Sequence, residues 1–98
     1  MRAAAPPEVG VIQVKVADRL LIYPAGRTAM VWYGAGVVLD LLARVGPRLS
    51  ALLPDDRLLW RYLEGDDAES ECARHLRRFQ ERFGAPPRLN EAPIGRGA

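Results

Sequence analysis

Cys72 and His75 are the two side chains whose chemistry is most versatile, and they stand three residues apart. On a helix that spacing would let a thiol and an imidazole share a metal ion or form a reactive pair. The chain has one cysteine and one histidine, whereas a zinc site draws on three or four protein ligands, so these two cannot assemble one. A catalytic cysteine would also need an oxyanion site and a substrate pocket, which a core this small can hardly supply. Cys72 reads instead as a small packed hydrophobe with His75 at its edge. Asp55-Asp56 and Asp66-Asp67 could do acid/base work or hold a cation, but each precedes an expected helix, where carboxylates complement exposed amides. Gly34-Ala35-Gly36 lies between an expected strand and a helix yet lacks the third glycine and the lysine of phosphate-binding fingerprints. The chain is therefore read as not an enzyme, with no metal and no cofactor.

Arg74, Arg77, Arg78 and Arg82 cover the remainder of that same helix outside its apolar stripe. A basic face can lie along nucleic-acid phosphates or pair with an acidic peptide, although a solvated helix surface explains it most simply. Glu81 and the acidic residues before it dilute the field. Over 98 residues the net charge is +2, and Lys15 is the sole lysine. A lone cysteine excludes an internal disulfide and suits a reducing compartment. Met1 to Pro7 has no apolar segment of signal-peptide length. The longest apolar run, Ala29 to Leu39, is too short to cross a bilayer. A soluble cytoplasmic protein with no membrane partner is expected.

The elements that must position these side chains follow from periodicity. Residues 1–8 form an Ala- and Pro-rich arm read as flexible; residues 9–84 form a single α+β domain; residues 85–98, with Pro93, Gly95 and Gly97, form a second flexible tail. Val11 to Val16 alternates as a half-buried strand. Ala17-Asp18-Arg19 is a turn or a bulge, with a turn favoured. Leu20 to Tyr23 and Thr28 to Tyr33 are strands joined through Pro24-Ala25-Gly26, a hairpin signal. These patterns predict a small antiparallel meander of two or three strands. Val38, Leu41, Leu42 and Val45 then mark a helix entered through the glycines and stopped at Gly46-Pro47. Pro47 to Leu53 suggests a short second helix. Arg57 to Glu64 fits both periods, because Leu59, Tyr62 and Leu63 can share a helix face while Leu58, Trp60 and Tyr62 alternate with Leu59, Arg61 and Leu63; helix is favoured, strand stays open. From Asp66, a capping residue with Glu69 three on, Ala68, Cys72, Leu76, Phe79 and Phe83 trace the apolar stripe of a long last helix.

The stretch DRLLIYPAGRTAMVWYGAGVVLDLLARVG, with two hairpin strands running into an aliphatic helix, and the terminal helix AESECARHLRRFQERF together resemble the PqqD-like family of peptide-binding domains, the RiPP recognition elements. The resemblance covers roughly residues 10 to 84 and implies a winged-helix-like fold, a small antiparallel meander followed by three helices. It also implies a noncatalytic adaptor in which an extended peptide adds along the third strand and packs against the last helix. In this chain that groove would be bounded by Thr28, Met30 and Trp32 on the strand and by Arg74, Arg77 and Arg78 on the helix. The physics is general: an uncovered strand offers unpaired amides and carbonyls, and an adjacent helix supplies specificity. Two other functions fit the same features. One is a small structural or assembly protein, for example of a phage or accessory complex, whose aromatic edge pairs with a neighbouring copy. The other is a winged-helix-like nucleic-acid binder, which ranks behind a peptide or protein partner.

Overall fold

The alternation of Val11 to Val16 produces the strand on which the others assemble. In the computed structural model, which describes residues 8–90, β1 (Val9–Val16) is followed by a short hairpin of β2 (Leu21–Tyr23) and β3 (Gly26–Thr28), then by β4 (Met30–Val37), α1 (Val38–Leu52), β5 (Leu58–Glu64) and α2 (Ala68–Phe83), and the chain closes on a 3-10 turn at Arg88–Asn90. Residues 1–7 of the expected arm and 91–98 of the expected tail lie outside the described residues.

The fold is mixed α+β with antiparallel sheets, but it is not a simple meander. β1 is the centre of a three-stranded sheet of order β4-β1-β5, and β2-β3 forms a separate two-stranded ribbon. Both neighbours run antiparallel to β1, with Val14 opposite Trp32 on one side and Trp60 on the other. Side chains alternate between faces along each strand. Ile12, Val14 and Val16 pack in a cluster with the α1 stripe Val38, Leu41, Val45 and Leu49. Val11, on the opposite face, packs with Ala68 and Cys72 of α2. The sheet is thus a layer between two helices.

Three expectations are corrected. The strand after the hairpin does not stop at Tyr33: Gly34 and Gly36 stay in the ladder opposite Ile12 and Gly10. A Cβ at Gly34 would land inside the indole of Trp32, so glycine is what lets that ring lie flat on the strand. Gly36 takes φ +151°, which a larger residue adopts only with strain. Second, α1 does not break at Gly46-Pro47 but runs to Leu52 with Pro47 inside it. An interior proline costs about 3 kcal/mol, and the fully buried Leu49 beyond it recovers a comparable sum by extending the apolar stripe one turn further. The expected short second helix is therefore the end of the first. Third, the segment expected as a helix over Arg57 to Glu64 is strand from Leu58 to Glu64, leaving two α-helices among the described residues where three were expected. An eight-residue helix is too short to stand without packing, whereas β1 offers this segment an unbroken register from Gly10–Glu64 to Val16–Leu58.

Packing also continues past residue 84, where the flexible tail was expected to begin. Pro87 and Leu89 are buried, so the chain packs as far as Asn90.

Placing β5 as a strand changes the role of Asp56, which precedes no helix. Its carboxylate accepts two hydrogen bonds from the Arg19 guanidinium, at 2.9 and 2.7 Å, tying the loop after α1 to the loop after β1. That contact holds the Asp56 carboxyl below the usual carboxylate range. The folded-state value lies below the unfolded one, so this stabilisation is complete above the ordinary carboxylate range and is lost as the pH falls through the lowered value. Asp56→Asn should lower the thermal midpoint slightly at neutral pH, as befits a surface pair. The difference from wild type should vanish on acidification, which melting curves across a pH series will show.

Candidate functional site

The six residues expected to line a peptide groove do not meet. Trp32 is buried against Gly34 on the face opposite Tyr33 and α2. Arg74 sits on α2, paired with Glu71 one helical turn away. Arg78 is exposed on the same helix. Arg77 borders a hollow of about 550 Å³ between α2 and the segment beyond it, with Gln80, Pro86 and Asn90. Thr28 and Met30 do share a surface, a groove of about 350 Å³ whose other walls include Lys15, Leu59 and Arg61.

The residues with reactive types are engaged in packing. Burial pushes the Cys72 thiol up from its ordinary value, which keeps it protonated. The His75 ring stacks on Tyr33 with centroids 5.4 Å apart and planes 10° from parallel. Tyr33, itself pushed up by burial, also meets Phe79 edge-on at 6.2 Å. Asp67 rather than Asp66 is the residue before α2, and it makes no side-chain cap. Among the described residues no three His, Cys, Asp or Glu side chains gather where an ion could be held. No described helix is long and apolar enough to cross a membrane.

The strand margins are where the structure distributes unused bonding capacity. Along the β1-β4 ladder Val38 donates to the Glu8 carbonyl at 2.9 Å, so the even-numbered β4 residues turn their backbone groups inward and Tyr33 turns its own outward. Asn90 meets both: its Oδ1 accepts from the Tyr33 N–H at 3.0 Å and its Nδ2 donates to the Tyr33 carbonyl at 3.0 Å. One side-chain amide thus imitates a residue of a neighbouring strand at the middle of β4. The β2 margin is treated likewise, because Arg88 Nη2 donates to the Ile22 carbonyl at 2.8 Å. The Arg88 backbone N–H donates to the Tyr23 hydroxyl at 2.9 Å, and that hydroxyl donates to the Met30 carbonyl at 3.0 Å. Arg88 and Asn90 are therefore edge caps, the fourth and sixth residues of what reads from composition as a loose tail.

β5 has no such cap among the described residues. Ala17 donates to the Arg57 carbonyl and Gly65 donates to the Val9 carbonyl, bracketing the strand. Leu59, Arg61 and Leu63 consequently turn their backbone groups to β1, while Leu58, Trp60, Tyr62 and Glu64 turn theirs outward. Leu59 and Leu63, 40% and 50% exposed, flank Arg61 on one face, and Tyr62, 37% exposed, stands beside Trp60 on the other. Of the two charges in the strand, Glu64 stands at its end and Arg61 is drawn back from the edge, since Arg61 Nε donates to the buried Gln13 Oε1 at 2.7 Å. Sequence reasoning placed the open edge at Thr28 to Tyr33 and missed this one. The alternation of Leu58, Trp60 and Tyr62 with Leu59, Arg61 and Leu63 was the available signal.

No family model, no curated protein and no solved structure matches this chain.

Asn90→Ala should unpair both outward groups of Tyr33. A loss of about 1–3 kcal/mol in urea unfolding is expected, the range for half-buried backbone groups left without partners, and the Tyr33 amide should lose its hydrogen-exchange protection.

Proposed function

We propose that this protein is a noncatalytic binding module that captures an extended segment of protein chain by β-augmentation, with β5 as the accepting edge. The observation that carries this reading is the outward row of backbone groups at Leu58, Trp60, Tyr62 and Glu64, unpaired among the described residues, on a strand with an uninterrupted ladder behind it. Natural sheets blunt their margins with short strands, bulges, charges or covering segments. Here β2 and β3 are three residues long, β4 carries a register shift near Val14–Lys15 and the Asn90 cap, whereas β5 runs seven residues in unbroken register with no cap among the described residues, its charges being Arg61, turned back to Gln13, and Glu64 at its end. An added strand would gain main-chain hydrogen bonds, each contributing about 0.5–1.5 kcal/mol net. Its side chains would meet Leu59 and Leu63 on one face and Trp60 and Tyr62 on the other, which supplies selectivity.

The resemblance to PqqD-like peptide-binding domains supports the same class of function, since antiparallel strands lead into a helix and a long helix packs on the sheet. The winged-helix-like description of the fold belongs with that resemblance. The proposed edge differs from the one it implies, on the far side of β1 from Thr28 to Tyr33. Arg77 and Arg78 of α2 then lie away from the captured segment.

Tyr62→Pro separates these readings. The Tyr62 amide points away from β1, so proline there removes an outward donor while the ladder to β1 keeps its bonds. Peptides selected from a random display library against the wild-type chain should lose at least about tenfold in affinity for Tyr62→Pro, with the thermal midpoint nearly unchanged, and should bind Arg74→Glu and Arg78→Glu normally. Equal binding by Tyr62→Pro would rule out β5 as the accepting edge.

A further inference from the structure

We infer that the segment seated on β5 is the β5 strand of a second copy, so that the protein forms a two-fold dimer with one continuous sheet. This deepens the reading above and rests on it. A two-fold axis through an antiparallel strand pair must bring outward-facing residues against outward-facing residues, and on β5 these are Leu58, Trp60, Tyr62 and Glu64. An axis passing beside Arg61 satisfies this and pairs the whole strand from Leu58 to Glu64. Trp60 of each copy then exchanges both backbone bonds with Tyr62 of the other, and Leu58 does so with Glu64. On one face the Trp60–Tyr62 pairs, whose rings already lie 6.5 Å apart within a chain, join across the seam. On the other face Leu59 of each copy meets Leu63 of its mate, covering two of the exposed leucines.

Shifting the axis by one residue either way breaks this match. Centred on Trp60, it sets Leu59 against Arg61; centred on Tyr62, it sets Leu63 against Arg61 and Leu59 against Gly65. The favoured register does appose the two Arg61 residues, a like-charge contact. Their side chains are anchored to Gln13, away from the seam. Charge at the ends favours the same arrangement. Each strand enters with Arg57, 70% exposed and only loosely paired with Asp18 at 3.7 Å, and leaves with Glu64, Asp66 and Asp67. Antiparallel pairing sets the entry of one strand beside the exit of the other, twice over. Asp56 is already committed to Arg19, and Asp55 lies beyond the paired stretch.

The test uses the full chain in sedimentation equilibrium over a concentration series. Wild type should show a reversible monomer–dimer equilibrium. Leu59→Lys alone and Leu63→Glu alone should each weaken it by about tenfold, because a charge then faces leucine. The double variant, Leu59→Lys with Leu63→Glu, should recover much of the loss, since every Lys at position 59 then faces a Glu at position 63. Both positions are exposed, and far-ultraviolet circular dichroism should show all variants folded. A dimer that the single changes leave intact, or that the double variant fails to restore, would overturn the inference by placing the contact elsewhere or in another register. A wild type that stays monomeric at every concentration overturns it too. In that case, Tyr62-dependent binding of display-selected peptides would leave the binding-module reading standing, and its absence would remove both.

Discussion

β1 is covered on both faces, and this imposes the constraint from which the architecture follows. Val11, Ile12 and Val14 are almost wholly buried and Gln13 nearly so. A strand enclosed in this way has no water for its amides and carbonyls, each of which would carry a desolvation cost if left without a partner. Both neighbours are therefore obligatory. β4 supplies one ladder, extended through Gly34 and Gly36 to the threshold of α1, and β5 supplies the other. The buried Gln13 side chain follows the same rule by accepting from Arg61. The helices then close the two faces, α1 over Ile12, Val14 and Val16 and α2 over Val11.

Satisfying the central strand transfers the bonding problem outward, to margins that the chain treats unequally. The short segment after α2 supplies Asn90 for β4 and Arg88 for β2, and the burial of Pro87 and Leu89 fixes these caps in place. Tyr23 ties the arrangement together: its hydroxyl links the Arg88 amide to the Met30 carbonyl, while its ring packs edge-on against Phe79 at 5.1 Å. β5 receives no comparable treatment among the described residues. It carries apolar side chains on both faces, and its one internal charge is turned inward. An open margin of this kind offers a template on which another strand can pair, and the proposed function draws on that backbone geometry rather than on any reactive side chain.

Much of this frame was legible from residue order. The period-2 run Val11 to Val16 and the stripe from Ala68 to Phe83 each carry a strong local signal, and each forms; the turn after Tyr23 also forms, but the strand that returns beside Leu21–Tyr23 is Gly26–Thr28, while Met30–Val37 pairs with β1 instead. What escaped was decided at long range. Arg57 to Glu64 supports both periods locally, and only pairing with β1, more than forty residues away, selects the strand. Pro47 is a reliable stop in isolation, yet Leu49 makes continuation worthwhile once there is a sheet to bury it against. Trp32 fits either the core or a recognition edge from sequence alone, and the structure places it in the core, where Gly34 makes room for its ring. Asn90 carries no periodic signal at all; its role exists only because the chain returns to Tyr33.

Residue-resolved amide hydrogen exchange on dilute, monomeric protein tests the open margin of β5 most directly. The account predicts slow exchange at Leu59, Arg61 and Leu63, whose amides face β1, and fast exchange at Trp60 and Tyr62, with protection of the latter pair emerging only as a partner strand binds. Slow exchange at Trp60 and Tyr62 in the monomer would show that the margin is already occupied, and would contradict the account.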